Sequence, residues 1–257
     1  MTNIKATTIQ TTSAHTHAVV FLHGRGDDTD NFIRALDHSA GSRGLSLFGA
    51  FPSFRWVFPQ APTRRCASEP QQTWPQWFDV WDTRDFSARE ELQAEGLREV
   101  VPEIRRILAE EAAALGGRWD RVILAGISMG AATGIHTLFN LDVPTAEARL
   151  GAFLGFSCRC PFAGRDLAGM RAALGDLADA PAHNKVLQGT PVLLEHCVDD
   201  PLVTVQNGRR LREIMTEFGA RGEWREYPNG GHWFNAPTGM DDAIAFLNKV
   251  VQQTAHD

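Results

Sequence analysis

A chain of 257 residues with 43% hydrophobic side chains can bury a deep core, and this length favours one α/β domain over two. Its 25 basic and 31 acidic residues leave a formal charge of −6, the wrong sign for a nucleic-acid binder. Ordinary Gly (23) and Pro (13) counts argue against disorder, and the four cysteines, Cys66, Cys158, Cys160 and Cys197, have the spacing of neither a disulfide scaffold, a zinc knuckle nor a CxxC redox pair.

The stretch from Met1 to His17 is polar and Thr-rich, without the apolar core or cleavage pattern of a secretory signal. Residues 1–16 are therefore expected to form a flexible lead into a single domain spanning 1–257. With reduced thiols and no glycosylation sequon, the expected location is cytoplasmic. Short apolar runs follow at Ala18–Leu22, Trp56–Phe58, Arg121–Ala125, Leu150–Gly155, Pro191–Glu195 and Glu223–Tyr227. Most are apolar on consecutive positions, as strands covered on both faces are. Helical patterns lie between them, at Asp30–His38, Glu90–Leu115, Ser128–Asn140, Gly164–Asp179, Asn207–Phe218 and Met240–Gln253. In the second of these, Leu92, Leu97, Val101, Ile104 and Leu108 share a face, and Pro102 is expected to kink or divide the helix. Val122 to Leu141 lacks any charged residue but carries three glycines, Ser128, two threonines, His136 and Asn140, too polar for a membrane span. Strand and helix alternate, so the expected architecture is a mostly parallel sheet with helices on both faces. The longest irregular segment, Pro59 to Phe86, reads as a functional loop.

The chemistry concentrates at Gly126-Ile127-Ser128-Met129-Gly130, between an apolar run and a helix-compatible stretch. A serine at such a strand-to-helix turn is strained and exposed, and glycines two positions away let backbone approach closely. A serine nucleophile needs a base, and the base needs a carboxylate to orient it. Downstream, Pro191 to His196 leads into Cys197-Val198-Asp199-Asp200-Pro201, and Trp224 to Tyr227 leads into Pro228-Asn229-Gly230-Gly231-His232. Both candidates thus follow strands in the order Ser, Asp, His. His232 is preferred as the base over His136, His183, His196 and His256. His196 also reads as a buried core histidine, and His183 and His256 as solvated. Asp200 is preferred over Asp199 because Pro201 biases it towards an extended conformation, Asp199 reading as a turn or cap residue. The loop His23-Gly24-Arg25-Gly26 can aim backbone N–H groups at an oxyanion, with Arg25 and Met129 as the expected donors. No metal-ligand spacing and no dinucleotide fingerprint is present, so no cofactor and no metal is expected.

With these residues in view, the chain resembles the acyl-protein thioesterase and phospholipase/carboxylesterase branch of the α/β-hydrolases. The matching pieces are Leu22-His23-Gly24-x-Gly26-Asp27, Phe58-Pro59-Gln60-Ala61-Pro62, Trp77-Phe78-Asp79, the Ser128 turn, His196-x-x-x-Asp200-Pro201-Leu202-Val203 and Gly231-His232. The resemblance implies an α/β-hydrolase fold and a cofactor-free serine hydrolase acting on esters or thioesters of long acyl groups. It puts Ser128, Asp200 and His232 in the catalytic positions and Arg25 and Met129 in the oxyanion hole. Three positions depart from the family pattern: Met129 stands where Gln is usual, Arg25 where Leu is, and Cys197 where Gly is. The two oxyanion donors are backbone groups, so the first two departures bear on the substrate more than on the chemistry.

Trp74, Trp77 and Trp81 crowd into eight residues, and Trp77, Phe78, Trp81 and Trp233 are the expected apolar substrate wall. The same rings also read as caps on the core. Arg25, Asp27, Arg64 and Arg65 are charged candidates for the rim. The expected partner is a small-molecule or acyl-protein ester or thioester, with no nucleic acid and no integral membrane association; oligomeric state is not legible. Two alternatives stay open: a pathway-specific hydrolase or cyclase that releases a biosynthetic intermediate, and a non-catalytic binding protein on a hydrolase scaffold.

Overall fold

A computed structural model describes residues 3–144, 149–175, 177, 180–181 and 183–254. The strands are β1 (Ala6–Ile9), β2 (His17–Leu22), β3 (Phe54–Pro59), β4 (Thr63–Arg65), β5 (Thr73–Pro75), β6 (Val122–Ile127), β7 (Ala152–Phe156), β8 (Val192–Cys197) and β9 (Gly222–Tyr227). The helices are α1 (Thr29–His38), α2 (Leu47–Ala50), α3 (Glu91–Ala114), α4 (Met129–Phe139), α5 (Leu167–Ala173), α6 (Lys185–Gly189), α7 (Val205–Glu217) and α8 (Thr238–Thr254). Seven strands form one sheet in the order β1-β3-β2-β6-β7-β8-β9, parallel throughout except for the β1–β3 pair. Strands β4 and β5 make a separate antiparallel ribbon.

Two covered faces explain the consecutive apolar residues. Val20, Leu22, Val122 and Leu124 pack with Leu97, Ile104 and Leu108 of α3 and Ile135 and Leu138 of α4. Their neighbours Val19, Phe21, Ile123 and Ala125 point the other way, onto Phe32 and Leu36 of α1 and Ala243, Phe246, Leu247 and Val250 of α8. Helix α4 is buried along its whole length, which is why its sequence is apolar or small all round. No helix among the described residues is long and apolar enough to cross a membrane.

The six expected strands and six expected helices are present within a few residues of their expected ends, except the fourth helix, expected over Gly164–Asp179, for which the described residues show α5 and Asp176, Ala178 and Asp179 lie outside them. Three readings need correction. The lead segment is not wholly flexible, since Ala6–Ile9 adds an antiparallel edge strand to β3. Such an edge is half-exposed and polar, and leaves no apolar run to read. Pro102 does not divide α3, which runs unbroken from Glu91 to Ala114. It sits on the exposed side, while Val100, Val101 and Ile104 anchor the helix around it. The irregular segment contains the β4–β5 ribbon, which closes on the loop after β2 through Gly26 N–H donating to Pro75 O at 2.7 Å.

Parallel strands place their C-terminal ends along one edge of the sheet. The loops after β2, β6, β7, β8 and β9 therefore converge there, and they carry the candidate residues.

Candidate active site

Ser128 is the single residue between β6 and α4, with φ 54° and ψ −124°, a left-handed conformation that costs a non-glycine residue free energy. The flanking glycines are demanded by space. A Cβ on Gly126 would lie 2.6 Å from the Ala131 nitrogen, and one on Gly130 would lie 2.3 Å from the Leu22 carbonyl oxygen. Backbone packs against backbone at both points, so neither contact can be relieved by a side-chain rotation. The turn is held by Ser128 N–H donating to Phe156 O at 2.9 Å and by Ala132 N–H donating to Ser128 O at 3.0 Å.

The loop after β2 is pinned from beneath by His23. Its Nδ1–H donates to Gly24 O at 2.7 Å, and its Nε2 accepts from Ala61 N–H at 3.1 Å. One nitrogen donates and the other accepts, so the ring is neutral, and burial lowers its pKa accordingly. The Trp77 indole N–H donates to His23 O at 2.8 Å. Above this support, the Gly24 α-carbon faces Ser128: a Cβ there would stand 3.7 Å from the Ser128 Cβ. The amides of Arg25 and Met129 have no hydrogen-bond acceptor among the described residues. Met129 opens α4, where free N–H groups and the helix dipole favour negative charge.

Asp200 meets His232, with Nδ1–H donating to Oδ2 at 2.7 Å. The other carboxylate oxygen accepts from the Leu202 and Val203 amides, each at 2.9 Å. His196 Nε2 lies 3.4 Å from Oδ2 while donating to Val203 O at 2.7 Å. Burial by itself pushes the Asp200 carboxyl up, but the hydrogen bonds from His196 and His232, the charge of His232 and the Val203 amide hold it well below the usual carboxylate range. An ionised carboxylate only accepts, so His232 must donate from Nδ1, leaving Nε2 free to take a proton when the ring is neutral. Asp199 does different work: its Oδ1 accepts from Gly231 N–H at 2.8 Å and ties the histidine loop down.

Ser128, His232, Gly24, Arg25 and Met129 line one cavity of about 320 Å³. Trp233 lines it as expected, its indole N–H fixed on Ser39 Oγ at 3.0 Å. The other expected wall residues are elsewhere. Trp77 and Phe78 are fully buried and absent from the lining. They lie beneath α3, where a Cβ on Gly96 would come within 2.5 Å of the Phe78 Cα. Trp81 is partly exposed and stacks under the Arg89 guanidinium at 4.8 Å. Val80, Thr83 and Phe86 from the same segment line the cavity instead, together with Leu202. Of the charged rim candidates, Arg25 and Asp27 line the cavity, whereas Arg64 lies on Glu99 at 2.7 Å.

The remaining histidines play other parts. His136 is buried beside Pro161, its pKa lowered to about 4 by burial. His183 is exposed near Asp142, and His256 lies outside the described residues. Cys197 is accommodated by a glycine opposite, since a Cβ on Gly230 would fall 2.6 Å from its sulfur. Sequence reasoning passed over Arg159, which also lines the cavity. The available signal was a lone charge inside the otherwise uncharged run Phe156 to Phe162.

Comparison with known proteins bears on the family and the fold. The model of the phospholipase/carboxylesterase family matches residues 3–251. Acyl-protein thioesterase 1 of Gibberella zeae is 25% identical over 240 residues, covering 92% of each chain. The enzyme of the same name from Yarrowia lipolytica is 24% identical over 229 residues, 88% of this chain and 89% of that one. Among solved structures, Zea mays acyl-protein thioesterase 2 superposes with a TM-score of 0.71 at 21% identity, covering 96% of this chain and 98% of that chain. A likeness at that identity speaks for the α/β-hydrolase fold.

Proposed function

This chain belongs to the phospholipase/carboxylesterase family of ester and thioester hydrolases, and from that premise we propose that it works through Ser128, His232 and Asp200 and an acyl-enzyme. The observation that carries the reading is the 2.7 Å bond between His232 Nδ1 and Asp200 Oδ2, with His232 and Ser128 lining the same cavity. Neutral His232 takes the Ser128 proton at Nε2 as Oγ attacks the acyl carbonyl. Ionised Asp200 stabilises the imidazolium that forms and keeps the ring in the required tautomer. Negative charge developing on the carbonyl oxygen is received by the amides of Arg25 and Met129, which no acceptor among the described residues occupies. His232 then returns the proton to the leaving alcohol or thiol, and water repeats the sequence to release the acid.

The substrate is an acyl ester or thioester whose apolar part rests on Val80, Phe86, Leu202 and Trp233. Fluorophosphonate labelling with turnover of p-nitrophenyl esters tests the assignment. Wild-type protein should label once, at Ser128, and both labelling and turnover should vanish in Ser128→Ala and fall steeply in His232→Ala. Undiminished turnover in Ser128→Ala refutes it. Stoichiometric labelling without turnover of any simple ester would favour the pathway-specific alternative.

A further inference from the structure

We propose that Arg159 is an anion-binding residue of the active-site cavity, and that the preferred esters carry a carboxylate or phosphate that pairs with it. The inference rests on the hydrolase reading for its substrate but not for its binding site.

Arg159 follows β7 and is 7% exposed, yet it lines the same cavity as Ser128. A buried guanidinium is costly unless paired. Here the only protein acceptor among the described residues is neutral: Nη2 donates to Gln93 Oε1 at 2.8 Å. No carboxylate among the described residues lies within ion-pair distance. Glu90 is engaged by Arg165 at 3.5 Å, and Asp27, on the same cavity lining, makes no pair with Arg159. The other cavity-lining arginine, Arg25, is turned away, donating to Gln76 Oε1 at 2.8 Å and Cys66 Sγ at 3.2 Å. Burial accordingly lowers the Arg159 pKa to about 10, which still leaves it charged near neutrality.

The guanidinium is also held in place. It stacks on Phe86 at 3.9 Å and lies 5.7 Å from Phe78, so its plane is fixed by rings rather than by charges. The segment that carries it is bracketed by two left-handed non-glycine residues, Ser157 at φ 46° and Phe162 at φ 61°. Such conformations persist where the surroundings impose them. An oriented fork with uncommitted donors, facing a cavity that receives esters, matches the planar geometry of carboxylate and phosphate.

The charge can sit on either side of the scissile bond, and the experiment separates the two. Ethyl half-esters of linear dicarboxylic acids are compared with ethyl esters of equally long monocarboxylic acids, and 1-acylglycerol 3-phosphate with 1-acylglycerol, by titrating released acid. Wild-type protein should favour one charged series by about tenfold or more, and Arg159→Gln should cut the charged-to-neutral ratio of kcat/KM about 10- to 100-fold. Arg159→Lys should recover part of that ratio. A purely structural role would lower both series together. Equal wild-type turnover of charged and neutral esters, or a ratio unmoved in Arg159→Gln, overturns the proposal, and the first of these needs no variant to fold. Calorimetry with adipate and hexyl phosphate reads the site without turnover. Arg159-dependent binding in a protein that hydrolyses nothing would leave the anion site standing and remove the hydrolase reading instead.

Discussion

Replacing Asp200 with Asn keeps the side chain's shape and removes its charge, which makes the outcome a test of proton placement. The variant amide can keep its oxygen where the Leu202 and Val203 amides donate, each at 2.9 Å. Its NH2 group then occupies the former Oδ2 position, 2.7 Å from His232 Nδ1 and 3.4 Å from His196 Nε2. A donor now faces a donor. His232 relieves the conflict by moving its proton to Nε2, the nitrogen that accepts from Ser128 in the proposed mechanism, and the imidazolium of that mechanism loses its counter-charge. The expected loss is on the order of 10⁴ in kcat, the size known for this exchange in the serine-protease triad. That corresponds to about 5 kcal/mol of transition-state stabilisation. The assay is p-nitrophenyl butyrate turnover with the rate of fluorophosphonate labelling, on protein shown by circular dichroism to be folded. Asp199→Asn is the control: its amide oxygen can still accept from Gly231 N–H, so about threefold or less is expected. A folded Asp200→Asn enzyme within about tenfold of wild type would refute the reasoning, and so would equal damage from Asp199→Asn.

Trp77→Phe removes the N–H that donates to His23 O and should cost about 1–3 kcal/mol in denaturant unfolding, with kcat falling and KM little changed, because the residue supports the loop and lies off the cavity lining. A dominant effect on KM would reinstate it as a substrate wall. Gly130→Ala drives a Cβ to 2.3 Å from Leu22 O and 2.4 Å from His23 O, so a loss of roughly 3 kcal/mol or more, or failure to accumulate soluble protein, is expected; a fully stable variant would contradict the packing. Burial lowers both His17 and His136 from 6.5 to about 4 in the folded chain. The unfolded chain therefore binds protons first, and stability is complete above about 6.5 and declines as pH falls towards about 4. Each histidine contributes up to about 3 kcal/mol over that window. Urea midpoints across pH 4–7 check this, with His136→Gln expected to flatten the slope and an unaltered slope counting against it.

Much of this protein is legible in its residues one stretch at a time. The consecutive apolar runs that become β2, β6, β7 and β8 announce a sheet covered on both faces, because burial on two sides removes the alternation a half-exposed strand shows. Gly126 and Gly130 announce the turn around Ser128 because no other residue fits there. The order of Ser128, Asp200 and His232 along the chain is likewise sequence information. Tertiary structure decided what depends on direction. Whether Trp77 faces substrate or core is set by how its segment packs beneath α3, and Val80 and Phe86, three and nine residues on, take the wall instead. Pro201 favours Asp200 over Asp199 already in the sequence, but what Asp199 does instead, accepting from Gly231 N–H, emerges only in the fold. The edge strand Ala6–Ile9 exists only because β3 offers unpaired backbone groups to it. Arg159 is a lone charge in an uncharged run, and only the folded chain closes two phenylalanines around it. Periodicity and steric need act between near neighbours and are written locally; the side a ring or charge ends on is a sum over contacts from distant segments, and only the folded chain computes it.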